Sequence, residues 1–473
     1  MAGLSGLAAR SGEVRWRAGF DFMMTRRAFL GRWVAAGGIA VGARGGWALA
    51  GPGVFAAGDD AFLEELGRAS FRYFLEAAHP RTGQVLDRRR ADGGEEARRV
   101  GSIAATGFGL TALCIGEQRG WIAGDDARQR VLRALRHLRH EMGHVRGFFY
   151  HFHDWGTGER VWKCELSSID TAILMCGVLC CRAHFRGVRA GEREIRRLAT
   201  ELYERVEWPW MLNGGETFSM GWFPEGTAGA GAGVGVGEGG EAGGGGRFLP
   251  NRWDHYCELM MLYLLAIGSP SHPVAASAWR AWSRPVREYH GQRYVWSPAP
   301  LFVHQFSHAW FDFRGRSDAG VDWFENSVAA TRAHIGWSVG LRGRFPEWSE
   351  DLWGVTSSDS ARGYTAWGGP PDSGPLDGTV VPCAAAGSLP FLPVECLRTL
   401  RHQRERYGER VWGRYGFVDA FNPHDGWVNP DVIGIDVGIT LLMAENARTG
   451  WVWRRMGRDR DVRRAMDRVF GRG

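Results

Sequence analysis

Lysine is almost missing from this chain. Of its 58 basic residues only Lys163 is a lysine, so the formal charge of +6 is carried by arginine. The arginines are scattered, whereas a nucleic-acid binder is expected to gather basic side chains on one face or element. Such one-sided usage fits a GC-rich coding sequence better than a nucleic-acid partner. The arginine-dense end, RDRDVRRAMDRVFGRG (458–473), alternates acids with its arginines and reads as a solvated helix.

Other absences narrow the field further. There is no Cys-x-x-Cys, and no His/Cys pairing has zinc spacing, so neither a metal centre nor an organic cofactor is expected. Cys176, Cys180 and Cys181 fall on one helical stretch, where buried thiols act as small packing groups. No run is long and apolar enough for a convincing membrane span. Residues 24–53, MTRRAFLGRWVAAGGIAVGARGGWALAGPG, carry an arginine pair, a weakly apolar Gly/Ala-rich stretch and then ALA. That pattern is a twin-arginine export signal. It predicts transient use of the twin-arginine machinery, a mature chain starting near Gly51, a periplasmic or secreted location and no stable membrane insertion.

Helical patterning is abundant. Apolar residues recur at helical spacing over 60–79, 104–122, 127–143, 167–185, 192–208, 255–268, 323–337 and 436–456, and no strand run is as strong. Segments 127–143 and 192–208 are amphipathic, while 171–181 and 259–267 are apolar nearly all round. Two populations of helix, one sheathing and one buried, predict an all-α, two-layered α/α toroid. Residues 1–50 are set aside as the signal and what precedes it. Residues 51–473 form one domain, interrupted by a low-complexity Gly-rich insertion at 226–246 that is expected to be disordered. Long Gly- and aromatic-rich runs at 300–320 and 350–395 are expected to be active-site loops. The 23 tryptophans, many beside loop residues, suit a groove that stacks sugars.

Three of the most apolar helices carry an acid in or beside the first turn: Asp170 in SSID, Glu258 in YCELMM and Asp436 in GIDVGI. Each could serve the helix dipole or a cap, although Ser167 or Ser168 could cap the helix of Asp170. If the buried helices share one sense, their N-termini open on one face and the three carboxylates converge there. Two carboxylates in a partly dry cleft suit glycoside hydrolysis, one as acid and one as base. The most desolvated of them, Glu258, is the expected acid, with Asp170 or Asp436 as base. His304 and His308 stand four apart, but no third ligand follows. With Gln305, Trp310 and Asp312 they are candidates to bind sugar hydroxyls or stack on the ring. Tyr364 and Asp377 are weaker candidates on loops over the same face.

At these residues the chain resembles the bacterial glycoamylase-like domain proteins, which include the endo-β-1,2-glucanases of glycoside hydrolase family 144. The resemblance rests on SIAATGFGLTAL (102–113), GFFYHFHD (147–154), ELSSIDTAIL (165–174), YCELMMLYLLAIGSPSHP (256–273), PLFVHQFSHAWFDFRG (300–315), GYTAWGGPP (363–371), DGTVVPCAAAGSLPF (377–391), YGFVDAFNP (415–423) and GIDVGITLLMAEN (434–446). It implies an (α/α)6 barrel and inverting hydrolysis of β-1,2-glucan, with Glu258 as acid and Asp170 and Asp436 as its acidic partners. Val-Gly-Ile follows GID where the family usually has Gln-Gly-Pro, and the Gly-rich insertion falls shortly before Glu258. Two other functions share the composition. A polysaccharide lyase would need an acidic glycan and a Tyr or His base, and a glycan-binding protein would show no turnover.

Overall fold

The computed structural model describes residues 55–225, 245–371 and 374–471. The twin-arginine stretch and nearly all of the Gly-rich insertion lie outside the described residues. Helices dominate, and the strands are two to four residues long, paired in sheets of two or three. In chain order the helices are α1 Ala57–Glu76, α2 Ile103–Gln118, α3 Gly124–His140, α4 Ser168–His184, α5 Ala190–Glu204, α6 Trp208–Leu212 and α7 Met260–Gly268. They continue with α8 Trp323–Gly340, α9 Pro382–Ala386, α10 Pro393–Tyr407, α11 Gly434–Thr449, α12 Trp451–Met456 and α13 Arg460–Phe470.

The two helix populations read from patterning are present. α2, α4, α7 and α11 are buried almost throughout, whereas α3, α5 and α13 each bury one stripe and expose the rest. Burial all round requires close neighbours, and glycine supplies the space between α2 and α4. A Cβ on Gly107 would meet the backbone of Ile173, and one on Gly177 would meet the Gly107 carbonyl.

Several boundaries move. The 255–268 segment becomes helical only at Met260, so Glu258 lies just before the helix rather than in its first turn. The 436–456 pattern divides at Gly450, whose left-handed φ of 66° ends α11. The 300–320 run holds two short 3-10 turns, Leu301–His304 and Phe306–Ala309, and the 350–395 run ends in α9 and the start of α10. The C-terminal helix is not simply solvated. α13 packs on α7, and Arg464 and Arg468 donate to the carbonyls of Gly268 and Ile267 at the end of α7. Those carbonyls have no partner within their own helix, so the arginines do structural work there.

Short pairings form a continuous belt across the N-terminal ends of the buried helices. Arg88–Arg90 pairs antiparallel with Asp431–Ile433, just before α11. Val100–Ser102, just before α2, pairs with Phe152–Asp154. Leu166–Ser167, just before α4, pairs with Gly221–Phe223. The belt sets where the acids end up.

Candidate active site

α4 begins as a capped helix. Ser167 accepts the Asp170 N–H at 3.2 Å and donates its hydroxyl to Asp170 Oδ2 at 2.5 Å. The serine therefore caps the helix, and Asp170 is left with a second oxygen for other work. His151 stands opposite: Nδ1 lies 3.0 Å from Glu165 Oε1 and Nε2 lies 3.7 Å from Asp170 Oδ2. Its ring stacks on Phe152 with centroids 3.8 Å apart. Burial alone would lower the imidazole, but Asp170 and Glu165 outweigh it and raise it to about 9. At neutral pH His151 is a cation between two carboxylates. The ligand atoms of His151, Glu165 and Asp170 lie within 4.8 Å of one another, close enough for a cation. Yet the two acids face opposite ring nitrogens, which suits an imidazolium hydrogen-bonded to Glu165 and paired by charge with Asp170.

Asp436, in the first turn of α11, belongs to a second acidic group. Cys383 Sγ donates to its Oδ1 at 3.3 Å. Asp419 Oδ2 accepts from the Asp359 N–H and from Asn429 Nδ2, both at 2.9 Å. Arg88 ties this group to the belt by donating to Asp87 at 3.0 Å and to Asp359 at 2.6 Å. Burial pushes Asp436 up to about 6, against hydrogen bonds from Asp419 and Cys383 that pull it down. Burial, and then the charge of Asp436, pushes Asp419 well above the usual carboxylate range. Two acids so close share a proton rather than both ionising. Tyr364, on the hairpin Ser358–Ser360/Gly363–Thr365, joins this group. Its phenol is pushed well up by burial and by the charges of Asp436, Asp419 and Asp359.

Asp87 bridges the two groups. Its carbonyl accepts the Gly434 N–H at 2.7 Å, its N–H donates to Val100 O at 2.9 Å, and its charge acts on both His151 and Asp436. Glu258 is buried at the entrance to α7, and its carbonyl accepts from Ser307 Oγ at 2.8 Å. The loop before it is tied to the head of α4, where Trp253 Nε1 donates to Ser168 Oγ at 2.8 Å. Asp170, Glu258 and Asp436 thus all stand at N-terminal ends of buried helices.

The proposed sugar contacts fare differently. His304, Gln305, His308 and Trp310 are buried and bound within the protein. His304 Nδ1 lies 3.0 Å from the Tyr256 hydroxyl, and His308 Nε2 lies 3.0 Å from Ser327 Oγ. Burial drives both imidazoles down to about 3, so they are neutral. Gln305 donates to Ala384 O and Ser388 Oγ, and Trp310 to Thr111 Oγ1. The segment that carries them runs through the interior, where polar atoms need protein partners. Asp312 is at the wrong end. It pairs with Arg314 at 2.7 Å, and Arg314 covers Trp453 beyond the C-terminus of α11, about 20 Å of helix from Asp436. Asp377 holds its own turn, accepting from Thr379 N–H and Oγ1 at 3.0 and 2.7 Å.

Sequence reading missed Asp87, His151, Glu165, Asp359 and Asp419. His151, Glu165 and Asp419 lie in the quoted stretches GFFYHFHD, ELSSIDTAIL and YGFVDAFNP, so the signal was present but not assigned to residues.

The chain is similar to several known proteins. The family model Glycoamylase ("Putative glucoamylase") matches residues 250–460. The exo beta-1,2-glucooligosaccharide sophorohydrolase (non-reducing end) of Parabacteroides distasonis is 26% identical over 444 residues, or 87% of this chain. The chain spans 58% of that relative's length. A crystal structure named "putative glucoamylase" from Bacteroides uniformis superposes with TM-score 0.76 at 26% identity, covering 87% of this chain and 97% of the other. The endo-beta-1,2-glucanase of Chitinophaga pinensis, in complex with sophorotriose and glucose, shares the fold with TM-score 0.76 at 23% identity. That match covers 88% of this chain and 99% of the other. The resemblance to glycoamylase-like proteins thus holds in sequence over 250–460 and in fold over most of the chain.

Proposed function

We propose that this protein is an exported glycoside hydrolase that cleaves β-1,2-linked glucan with inversion, on an (α/α)6 toroid whose inner helices open on one acidic rim. The observation that carries this reading is that Glu258, Asp170 and Asp436 each stand at the head of a buried helix. The β-1,2-glucan activities named for the relative and for the fold neighbour support the substrate class. The arginine pair in 24–53 supports export.

In this mechanism Glu258 gives its proton to the glycosidic oxygen as the bond from C1 to that oxygen breaks. Water attacks C1 from the opposite face and loses its proton to the base. Asp170 suits the base better than Asp436. Asp170 faces the His151 cation and a serine hydroxyl, whereas Asp436 shares a proton with Asp419. A neutral glycan fits better than the acidic one a lyase needs, because the rim arginines are matched by acids: Arg88 by Asp87 and Asp359, and Arg98 by Glu96 and Asp431.

The test is incubation of the mature protein with linear β-1,2-glucan and, separately, starch, with products read by mass spectrometry. Sophoro-oligosaccharides from the first substrate alone are expected, and their length distribution separates endo from exo action. No product from β-1,2-glucan overturns the reading.

A further inference from the structure

A cavity of about 240 Å³ opens beside the belt, lined by Asp87, Arg88, Arg98, Arg99, Val100 and Trp162. Arg99 and Trp162 have no part in the site described above, whereas Asp87 and Arg88 belong to its acidic group. Trp162 is the one large aromatic side chain among the described residues that remains well exposed, at 43%. The backbone holds it there at a cost. Trp162 and Lys163 adopt left-handed φ angles of 54° and 49°, a region that non-glycine residues seldom occupy and that marks functional sites when the surrounding structure enforces it. The indole sits edge-on to Phe152, with centroids 5.3 Å apart, and Phe152 stacks on His151. On the far wall, Asp87 is bonded to the head of α11. The cavity therefore adjoins the cleft between the Asp170 side and the Asp436 side.

Its size and lining specify an occupant. The volume falls below the roughly 300–1,000 Å³ of pockets for drug-sized ligands, which suits one monosaccharide ring. An exposed indole offers a flat apolar face to the C–H face of a pyranose, while a polar rim serves the hydroxyls. The charges are balanced: Arg88 is matched by Asp87 and Asp359, Arg98 by Glu96 and Asp431, and Arg99 by Asp154. Guanidinium groups already matched by carboxylates leave little net charge to hold an anion, so a neutral occupant fits better.

We infer that this cavity is a subsite for one neutral hexose unit, with Trp162 as its stacking platform, and that it holds a glucan residue away from the bond being cleaved. The inference rests on the glycosidase reading for its substrate, but it can be tested separately. In protein labelled with 5-fluorotryptophan, the fluorine resonance missing from Trp162→Phe identifies Trp162. Glu258→Gln protein carrying the label is titrated with sophorose, glucose, cellobiose and maltose. A saturable shift of that resonance with a neutral saccharide is expected, together with a rise of about fivefold or more in KM for glucan in Trp162→Ala. A resonance that moves with none of the four sugars overturns the subsite, whether or not glucan is cleaved. A shifted resonance in a protein that cleaves no β-1,2-glucan retains the subsite and removes the substrate reading. An unchanged KM in a folded Trp162→Ala also overturns the subsite.

Discussion

The two ends of the buried helices are built on opposite electrostatic rules. At the C-terminal ends, charges meet their opposites. Arg182 of α4 holds Asp459 at 2.6 Å and Asp461 at 2.7 Å. Arg119, just past α2, holds Glu445 of α11 at 2.6 Å, and Arg448 of α11 reaches Asp60 and Glu64 of α1. At the head of α11, by contrast, acids face acids: Asp436 against Asp419 and Asp359, with Asp87 beside them and Arg88 reaching only Asp87 and Asp359. The first arrangement fixes the layers to each other. The second leaves carboxyl groups raised and mutually dependent, an unfavourable state that a protein retains where chemistry needs it.

The contrast can be broken at either end. At the rim, Glu258→Gln is expected to lower the rate of glucan cleavage by about 10²–10⁴-fold, the usual contribution of a general acid, as measured by reducing-sugar release. At the other end, Arg182→Met removes the buried cation paired with Asp459 and leaves Asp461 to the arginines of α13. A loss of about 3–5 kcal/mol in urea unfolding is expected, typical of a broken buried ion pair.

The titrations sharpen it. Asp436 is raised in the folded protein from 3.8 to about 6, so its stabilising share is complete below pH 3.8 and is lost as pH rises through 6. Asp419 follows the same sign. Asp419→Asn keeps an acceptor for Asn429 and removes one acid, so its melting temperature should exceed that of wild type at pH 8 and converge with it toward pH 4. An equal offset at both pH values would deny the raised pair. His151 is raised from 6.5 to about 9, so its contribution is complete below pH 6.5 and is lost through pH 9. Melting of His151→Gln should therefore fall short of wild type at pH 6 and approach it above pH 9. The smallest effect belongs to Asp312→Asn, remote from the rim, where kcat/KM should stay within about twofold, as for a surface change.

Periodicity exposed the helical class and both helix populations because burial all round leaves no polar stripe. It also flagged Asp170, Glu258 and Asp436, since an acid heading an apolar run is conspicuous on its own. The failures have a common physical origin. His304, Gln305, His308 and Trp310 are the residue types that bind sugars, but equally the types that satisfy one another in an interior, and one-dimensional spacing cannot separate the two. Asp312 was grouped with His304 and His308 because it follows them in the chain, but beyond the two 3-10 turns it pairs with Arg314 against Trp453.

Composition and hydrophobic period were enough to specify helices, which of them are buried all round and the acids at their heads, because those depend on local spacing and on which faces avoid water. The belt of short strands joins segments as far apart as Arg88 and Ile433, and it stands beside Asp87, His151 and Glu165, while a separate hairpin carries Asp359 to Asp419. Which acid pairs with a cation and which with another acid follows from those contacts, because electrostatic coupling is a property of distance in space and not of separation along the chain.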